Sequence, residues 1–349
     1  MDGTAVIFTN GMLDQSNAKT AHGLIRGSSR YRITSVLDHK HSGKDAGLLV
    51  DGNNHDIPVY ASIGEMVENE SSIPDYLIIG IATKGGYLPE EMKVVIKQAM
   101  ERGISIVNGL HEYMHDDPEL LKLSQDYGVS LIDIRKPRPK SELNFWSGEI
   151  LTVTCPKIAV MGTDCALGKR TAARFLTEAA QAAGLKAEMI YTGQTGWLQG
   201  GNYGFIFDST YNDFVSGELE HAIVTCFKET KPDIIFVEGQ ASLQNPSGPC
   251  GSEFLVSGAM DGVVLLHSPT RIYYGDIEAF GKIKPIQEDL DLIRLYGSKT
   301  IALGLHTQGL AYEQAKEYQR QYEKDYELPV LLPLEEGVAS LIPIIQQLS

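Results

Sequence analysis

Residues 159–171, AVMGTDCALGKRT, lead a glycine-framed loop onto a lysine. Gly162, Thr163, Asp164, Cys165, Ala166, Leu167, Gly168 and Lys169 follow the apolar run KIAV and precede the helical pattern RTAARFLTEAAQAAG. A strand, a glycine loop and a helix N-terminus in that order aim backbone amides at one point, and an ammonium beside them completes a seat for phosphate. The residue after the lysine decides what such a phosphate can do. ATP chemistry places a Ser or Thr hydroxyl there, on the Mg²⁺ that neutralises the β and γ phosphates. This chain has Arg170 instead, and Thr171 lies about 100° further round the helix. The loop is therefore better equipped to hold an anion than to organise Mg²⁺, unless Thr163 or Asp164 helps to bind the metal.

Further along, DIIFVEGQAS puts Glu238 at the carboxyl end of an apolar strand, where open α/β sheets bind their ligands. A carboxylate there can join a metal shell or take a proton from an ammonium. Gln240 and Ser242 follow on the loop, placed to orient a carboxylate or to donate to an oxygen on which charge develops. The glycine-rich stretch YTGQTGWLQGGNYG offers Thr192, Gln194 and Thr195 as polar donors near a closely approaching ligand. Trp197 within it is either a cover for that ligand or a core aromatic. Asp208 and Asp213 in FIFDSTYNDF either attract an ammonium or cap a helix starting near Tyr211. In LLHSPTRIYYG, His267 and Arg271 follow a strand, and Arg271 suits a substrate carboxylate. His111, Glu112 and His115 spell HEYMH, a match to the HExxH zinc pattern. They occupy barely one turn before DDP and have no evident third ligand, so no metal is expected.

These residues need a frame to bring them together. In the first part, TAVIFTN, YRITSVLD, DYLIIGIA, SIVNGL and VSLIDIR alternate with helical patterns. That alternation predicts a parallel, doubly wound sheet. The stretch KPRPKSELNFW breaks the rhythm, and the junction is placed between about Arg135 and Thr152. A second series begins with KIAVMG and closes with LPVLLP and a helix. The expectation is an α/β protein of two three-layer domains, residues 1–145 and 146–349, the second carrying the phosphate loop.

At 349 residues, with 43% hydrophobic residues, the chain is long enough for two cores. Its formal charge of −15, spread without an acidic tail, argues against nucleic acid, which requires a concentrated basic footprint. No apolar run approaches the roughly 20 residues that cross a bilayer, and the N-terminus does not read as a secretory signal. A cytoplasmic protein is expected, a homo-oligomer acting on a small molecule, with no nucleic-acid or membrane partner. The four cysteines, Cys155, Cys165, Cys226 and Cys250, lack metal or disulfide spacing and read as mostly buried thiols.

GTDCALGK resembles the loop of the dethiobiotin synthetase group, which reads GTD, three more residues and GKT. GTDCALGKRTAA together with TGQTGWLQGG, DFVSGELE and VEGQASLQNPSG resembles the DUF1611 family over nearly the whole chain. That resemblance implies a Rossmann-like N-terminal domain and a P-loop C-terminal domain. It further implies a D-glutamate N-acetyltransferase-like activity, acetyl transfer from acetyl-CoA to the amino group of a D-amino acid. Coenzyme A carries a diphosphate and a 3′-phosphate, binds without metal and would gain from Arg170. The alternatives are ATP with Mg²⁺ in a ligase or kinase of the synthetase type, and a nucleotide-binding module without turnover. Two departures count against the synthetase chemistry. Tyr191 and Thr192 stand where that group ends a strand in a lysine-proline pair, and His306 stands where related enzymes carry an Asn-Thr pair near the base.

Overall fold

A computed structural model describes residues 2–348, and the chain divides into two compact units. The division falls at Pro137/Arg138, inside the proline-bearing stretch. The first unit also takes in Gln194–Gly200; the second comprises Arg138–Gly193 and the chain from Gly201 onward.

The first unit holds strands β1 (Gly3–Phe8), β2 (Tyr31–Leu37), β3 (Val59–Tyr60), β4 (Tyr76–Ile79), β5 (Ser105–Asn108) and β6 (Leu131–Asp133), all parallel, in the order β3-β2-β1-β4-β5-β6. Helices α1 (Lys19–Ile25), α2 (Ala46–Val50), α3 (Ile63–Asn69), α4 (Glu90–Met100) and α5 (Pro118–Tyr127) make the crossovers. Parallel sheets are covered on both faces, so their strands read as nearly unbroken apolar runs. Val6, Ile7, Leu77, Ile78, Ile106 and Val107 are accordingly sealed in one core.

The second unit holds helices α6 (Lys169–Ala182), α8 (Asn212–Thr230), α9 (Ser252–Val256), α10 (Ile286–Leu295), α11 (Tyr312–Tyr326) and α12 (Ile342–Gln346). The short helix α7 (Gln194–Leu198) falls in the first unit. The second sheet comprises β7 (Lys157–Gly162), β8 (Ala187–Tyr191), β9 (Tyr203–Gly204), β10 (Ile234–Glu238), β11 (Gly262–His267), β12 (Thr300–Leu305) and β13 (Val330–Leu331). It is parallel throughout, in the order β13-β12-β11-β7-β10-β8-β9. Alternate residues feed two different cores, as a strand's two-residue period requires. Ala159, Met161, Ile235, Val237, Val263 and Leu265 enter one. Ile158, Val160, Ile234, Phe236, Val264 and Leu266 enter the other, under α6. Two apolar faces per strand make the three layers. The chain passes from β10 to β11 across β7, and the ends of these three strands frame the crevice in which such sheets bind ligands.

The glycine-rich stretch after β8 differs from the open loop expected of it. Leu198 is fully buried in the first unit's core, and the Thr195 hydroxyl shares a hydrogen bond of 3.1 Å with Thr20. Gln199 Nε2 donates to the carbonyls of Gly23 and Gly27 at 2.8 and 3.0 Å. Trp197 packs at the core's edge, with the Arg30 guanidinium 4.2 Å above its ring. No helix among the described residues is long and apolar enough to cross a membrane.

Candidate functional site

The site is assembled within the second unit, at the ends of β7, β10 and β11. The strand β7 is buried along its whole length and delivers the chain to a loop held by its own polar groups. The amide of Thr163 donates to the Leu266 carbonyl at 2.9 Å, and its hydroxyl shares a 2.9 Å hydrogen bond with His267 Nδ1. Asp164 is fully buried. One oxygen accepts from Asn245 Nδ2 at 2.8 Å, the other from Arg271 Nη1 at 2.9 Å and the Gly275 amide at 2.7 Å. The same Arg271 nitrogen reaches the Cys165 carbonyl at 2.7 Å. Leu167 is buried beneath the loop, while Ala166 and Gly168 take positive φ of 54° and 87°. A left-handed alanine is strained, and such strain is stored where geometry serves a function.

The helix α6 starts at Lys169, with the left-handed Gly168 at its N-cap. A helix N-terminus presents the positive end of the helix dipole, which favours an anion. The Lys169 ammonium turns inward, donating to the carbonyls of Asp164 at 2.7 Å and Ala241 at 2.8 Å. Arg170 and Thr171 follow on the first turn, both half-buried.

Glu238 closes β10 beside this loop. Burial pushes its carboxyl above the usual carboxylate range. Opposing that are the Arg170 charge, the Thr192 amide, the Lys169 charge and the Gly193 amide. The Thr192 amide donates to Glu238 Oε2 at 3.1 Å, and the Thr192 hydroxyl donates to the Glu238 carbonyl at 2.7 Å. Gln240 Nε2 donates to the same Thr192 hydroxyl at 2.9 Å. Thus Glu238, Thr192, Gln240, Lys169 and Arg170 share one neighbourhood.

The other residues singled out in the sequence lie as follows. Ser242 is buried, and its hydroxyl accepts from the Asn245 amide at 2.9 Å, shaping the turn that brings Asn245 to Asp164. Arg271 braces the loop through Asp164 and lies 3.3 Å from Asp276. Gln194 and Thr195 belong to the first unit, where Gln194 Oε1 accepts from Arg135 at 3.0 Å. Asp213 is exposed on the first turn of α8, whose N-cap is Tyr211. The HEYMH segment is not helical until Met114. Its Glu112 accepts from the Leu88 amide at 2.7 Å, and His115 is paired with Asp133 at 2.6 Å. All four cysteines are free; burial pushes the thiols of Cys226 and Cys250 up to about 12. Asn245 escaped attention in the sequence, although the Asn-Pro pair in LQNPSG marks a turn that could have drawn it.

Residues 39–137 match the domain of unknown function described as the DUF1611_N Rossmann-like domain, and residues 144–342 match the DUF1611_C P-loop domain. A crystal structure of a DUF1611 family protein from Anabaena variabilis ATCC 29413 is similar with a TM-score of 0.90 at 27% identity, covering 99% of both chains. Two relatives bear the name D-glutamate N-acetyltransferase. The one from Tritonibacter scottomollicae is 29% identical over 272 residues, 76% of this chain and 79% of its own. The one from a Pseudoalteromonas species is 29% identical over 271 residues, with the same coverage.

Proposed function

The chain belongs to the DUF1611 family through its Rossmann-like and P-loop halves alike, and on that premise we propose that it transfers an acetyl group from acetyl-CoA to the amino group of an amino acid, D-glutamate being the first candidate. The names of the two relatives support the reaction class. The observation in the structure that carries the reading is the charge set around Glu238. A Mg²⁺ site in a P-loop enzyme would draw on a hydroxyl after the lysine and an acidic strand end. Here the residue after the lysine is Arg170, and its charge acts on Glu238. Asp164, the loop's own carboxylate, is already held by Asn245, Arg271 and the Gly275 amide. This donor set fits a polyphosphate bound by amides, Lys169 and Arg170 without a divalent cation.

Acetyl-CoA would supply the thioester: the new C–N bond forms at its carbonyl carbon, the C–S bond breaks, and coenzyme A leaves as the thiol with the second proton that the nitrogen loses. The residues of this chain do the rest. Lys169 and the loop from Gly162 to Gly168 hold the diphosphate. Glu238 takes one proton from the substrate ammonium, which attacks only when neutral, and its raised pKa brings it closer to the working pH that general-base catalysis favours. Thr192 fixes this carboxylate and, through its hydroxyl, the amide of Gln240, to which we assign the acyl oxygen.

Incubation with acetyl-CoA and a panel of D- and L-amino acids in the presence of a chelator, read by mass spectrometry, tests the reading. N-acetylated amino acid is the expected product. Product formed only with ATP and Mg²⁺ would replace this proposal with an ATP-dependent ligase, and ligand binding without any product would make the protein a nucleotide-binding module.

A further inference from the structure

Beside the phosphate loop, on its β11 flank, lies a concavity of about 290 Å³ that the mechanism above leaves unused. His267 and Arg271 form its inner wall, and both reach the loop, through Thr163 and through Asp164 respectively. Tyr322 and Tyr326 form the outer wall, with Ile283 and Lys284 at the edge. The tyrosines stand one helical turn apart on α11 and meet edge to face at 5.8 Å, while Tyr322 lies 5.9 Å from the His267 ring. Burial lowers His267 to about 4, so the ring is neutral and can both donate and accept.

Three features define what fits. The volume is at the small end of ligand sites, which run from about 300 to 1,000 Å³, so a nucleoside-sized fragment is accommodated and a whole coenzyme is not. Tyr322 and Tyr326 supply aromatic surface against which a flat heterocycle can pack. The exposed Lys284 adds a preference for negative charge, Arg271 being paired with Asp164 and Asp276. Sheet order then decides which end of a ligand arrives here. The loop after β7 lies between β10, which carries Glu238, and β11, which carries this concavity, with neighbouring strands about 4.8 Å apart. A molecule whose diphosphate sits on the loop and whose reacting group faces Glu238 must send its opposite end toward β11.

We propose that this concavity binds the adenine nucleoside of coenzyme A, the base against Tyr322 and Tyr326 and the 3′-phosphate toward Lys284. The assignment rests on the acetyl-CoA reading. Base stacking on an aromatic side chain is typically worth about 1–3 kcal/mol by alanine substitution, a roughly 5- to 150-fold change in affinity.

Calorimetric titration of the full chain with CoA and with dephospho-CoA tests the proposal. Tyr322→Ala and Tyr326→Ala weaken both ligands about tenfold or more. Lys284→Ala weakens CoA and leaves dephospho-CoA unchanged. The loss that each variant causes is smaller for turnover of acetyl-pantetheine, which lacks the nucleotide, than for turnover of acetyl-CoA. Because Tyr322 also packs on His267, the exposed Lys284 and the helix-end Tyr326 keep the test clear of misfolding. If Tyr326→Ala and Lys284→Ala bind CoA like wild type while Lys169→Ala does not, the pocket assignment falls and the acetyl-CoA reading stands. A raised KM for the amino acid with unchanged CoA affinity also overturns it, giving the pocket to the acceptor. Absence of CoA binding by the wild type overturns both.

Discussion

Glu238 is costly to keep ionised where it stands, which suits the base it is proposed to be. A carboxyl whose folded pKa is raised is favoured neutral in the fold, so the rate should fall with decreasing pH along a limb above the ordinary carboxylate range. Glu238→Gln should lower kcat by roughly 10²- to 10⁴-fold and abolish that limb; an unchanged pH–rate profile would deprive Glu238 of its part as base. Arg271 carries a different burden. Asp164 is fully buried with Arg271 as its charged partner, so Arg271→Ala should cost on the order of 3–5 kcal/mol, measured by urea unfolding. A loss below about 1 kcal/mol, the range of exposed ion pairs, would show that the brace is ornamental. His267 gives a pH test of sign. Its folded pKa of about 4 lies below the ordinary 6.5, so the unfolded state binds the extra proton between these values and stability drops as pH falls through that window, by up to about 3 kcal/mol. His267→Gln should flatten that part of the stability profile; the same slope in wild type and variant would refute the assignment.

Among the elements, α8 gives a motif an unexpected meaning. DFVSGELE is one of the stretches that carries the family resemblance, yet its residues hold the chain that follows the domain junction. Glu218, buried on α8, accepts from the Asn144 amide and side chain, both at 2.9 Å, and from Arg138. Glu220 accepts from the Ser147 amide at 2.6 Å and the Ile150 amide at 3.0 Å. Gly217 lets that chain pass directly over the helix: a Cβ there would fall on the carbonyl oxygen of Asn144, well inside van der Waals contact. Alanine would otherwise favour a helix interior by about 1 kcal/mol. Gly217→Ala should nevertheless destabilise by about 1–3 kcal/mol and speed proteolysis between residues 138 and 147, because the obstruction is backbone; a stabilised variant would contradict the close approach. The longer strands were legible in sequence because parallel strands buried on both faces are continuous apolar runs; the two-residue edge strands β3 and β9 were not, being too short to form a run. The helix α7 was not, since the partners of Leu198 and Gln199 lie about 170 residues earlier, at Ser28 and Ser29.

At the scale of the molecule, the two-part architecture and the phosphate loop could be read from local order, because strand, glycine loop, lysine and helix are consecutive. The bracing of that loop could not. Asn245 and Arg271 reach Asp164 across 81 and 107 residues, so no local pattern announces them, and Arg271 read as a partner for a substrate carboxylate. Sequence separation likewise hid that the charge of Arg170 acts on Glu238. The proposed metal-free polyphosphate seat, as against an ATP site, turns on the charge that Arg170 brings to Glu238. The decisive measurement is calorimetric titration of the full chain with acetyl-CoA in excess chelator, wild type against Lys169→Ala. Saturable one-site binding without metal, weakened about tenfold or more by the substitution, is the predicted result. Equal affinity in the two proteins, or binding only of ATP and only with Mg²⁺, would contradict it.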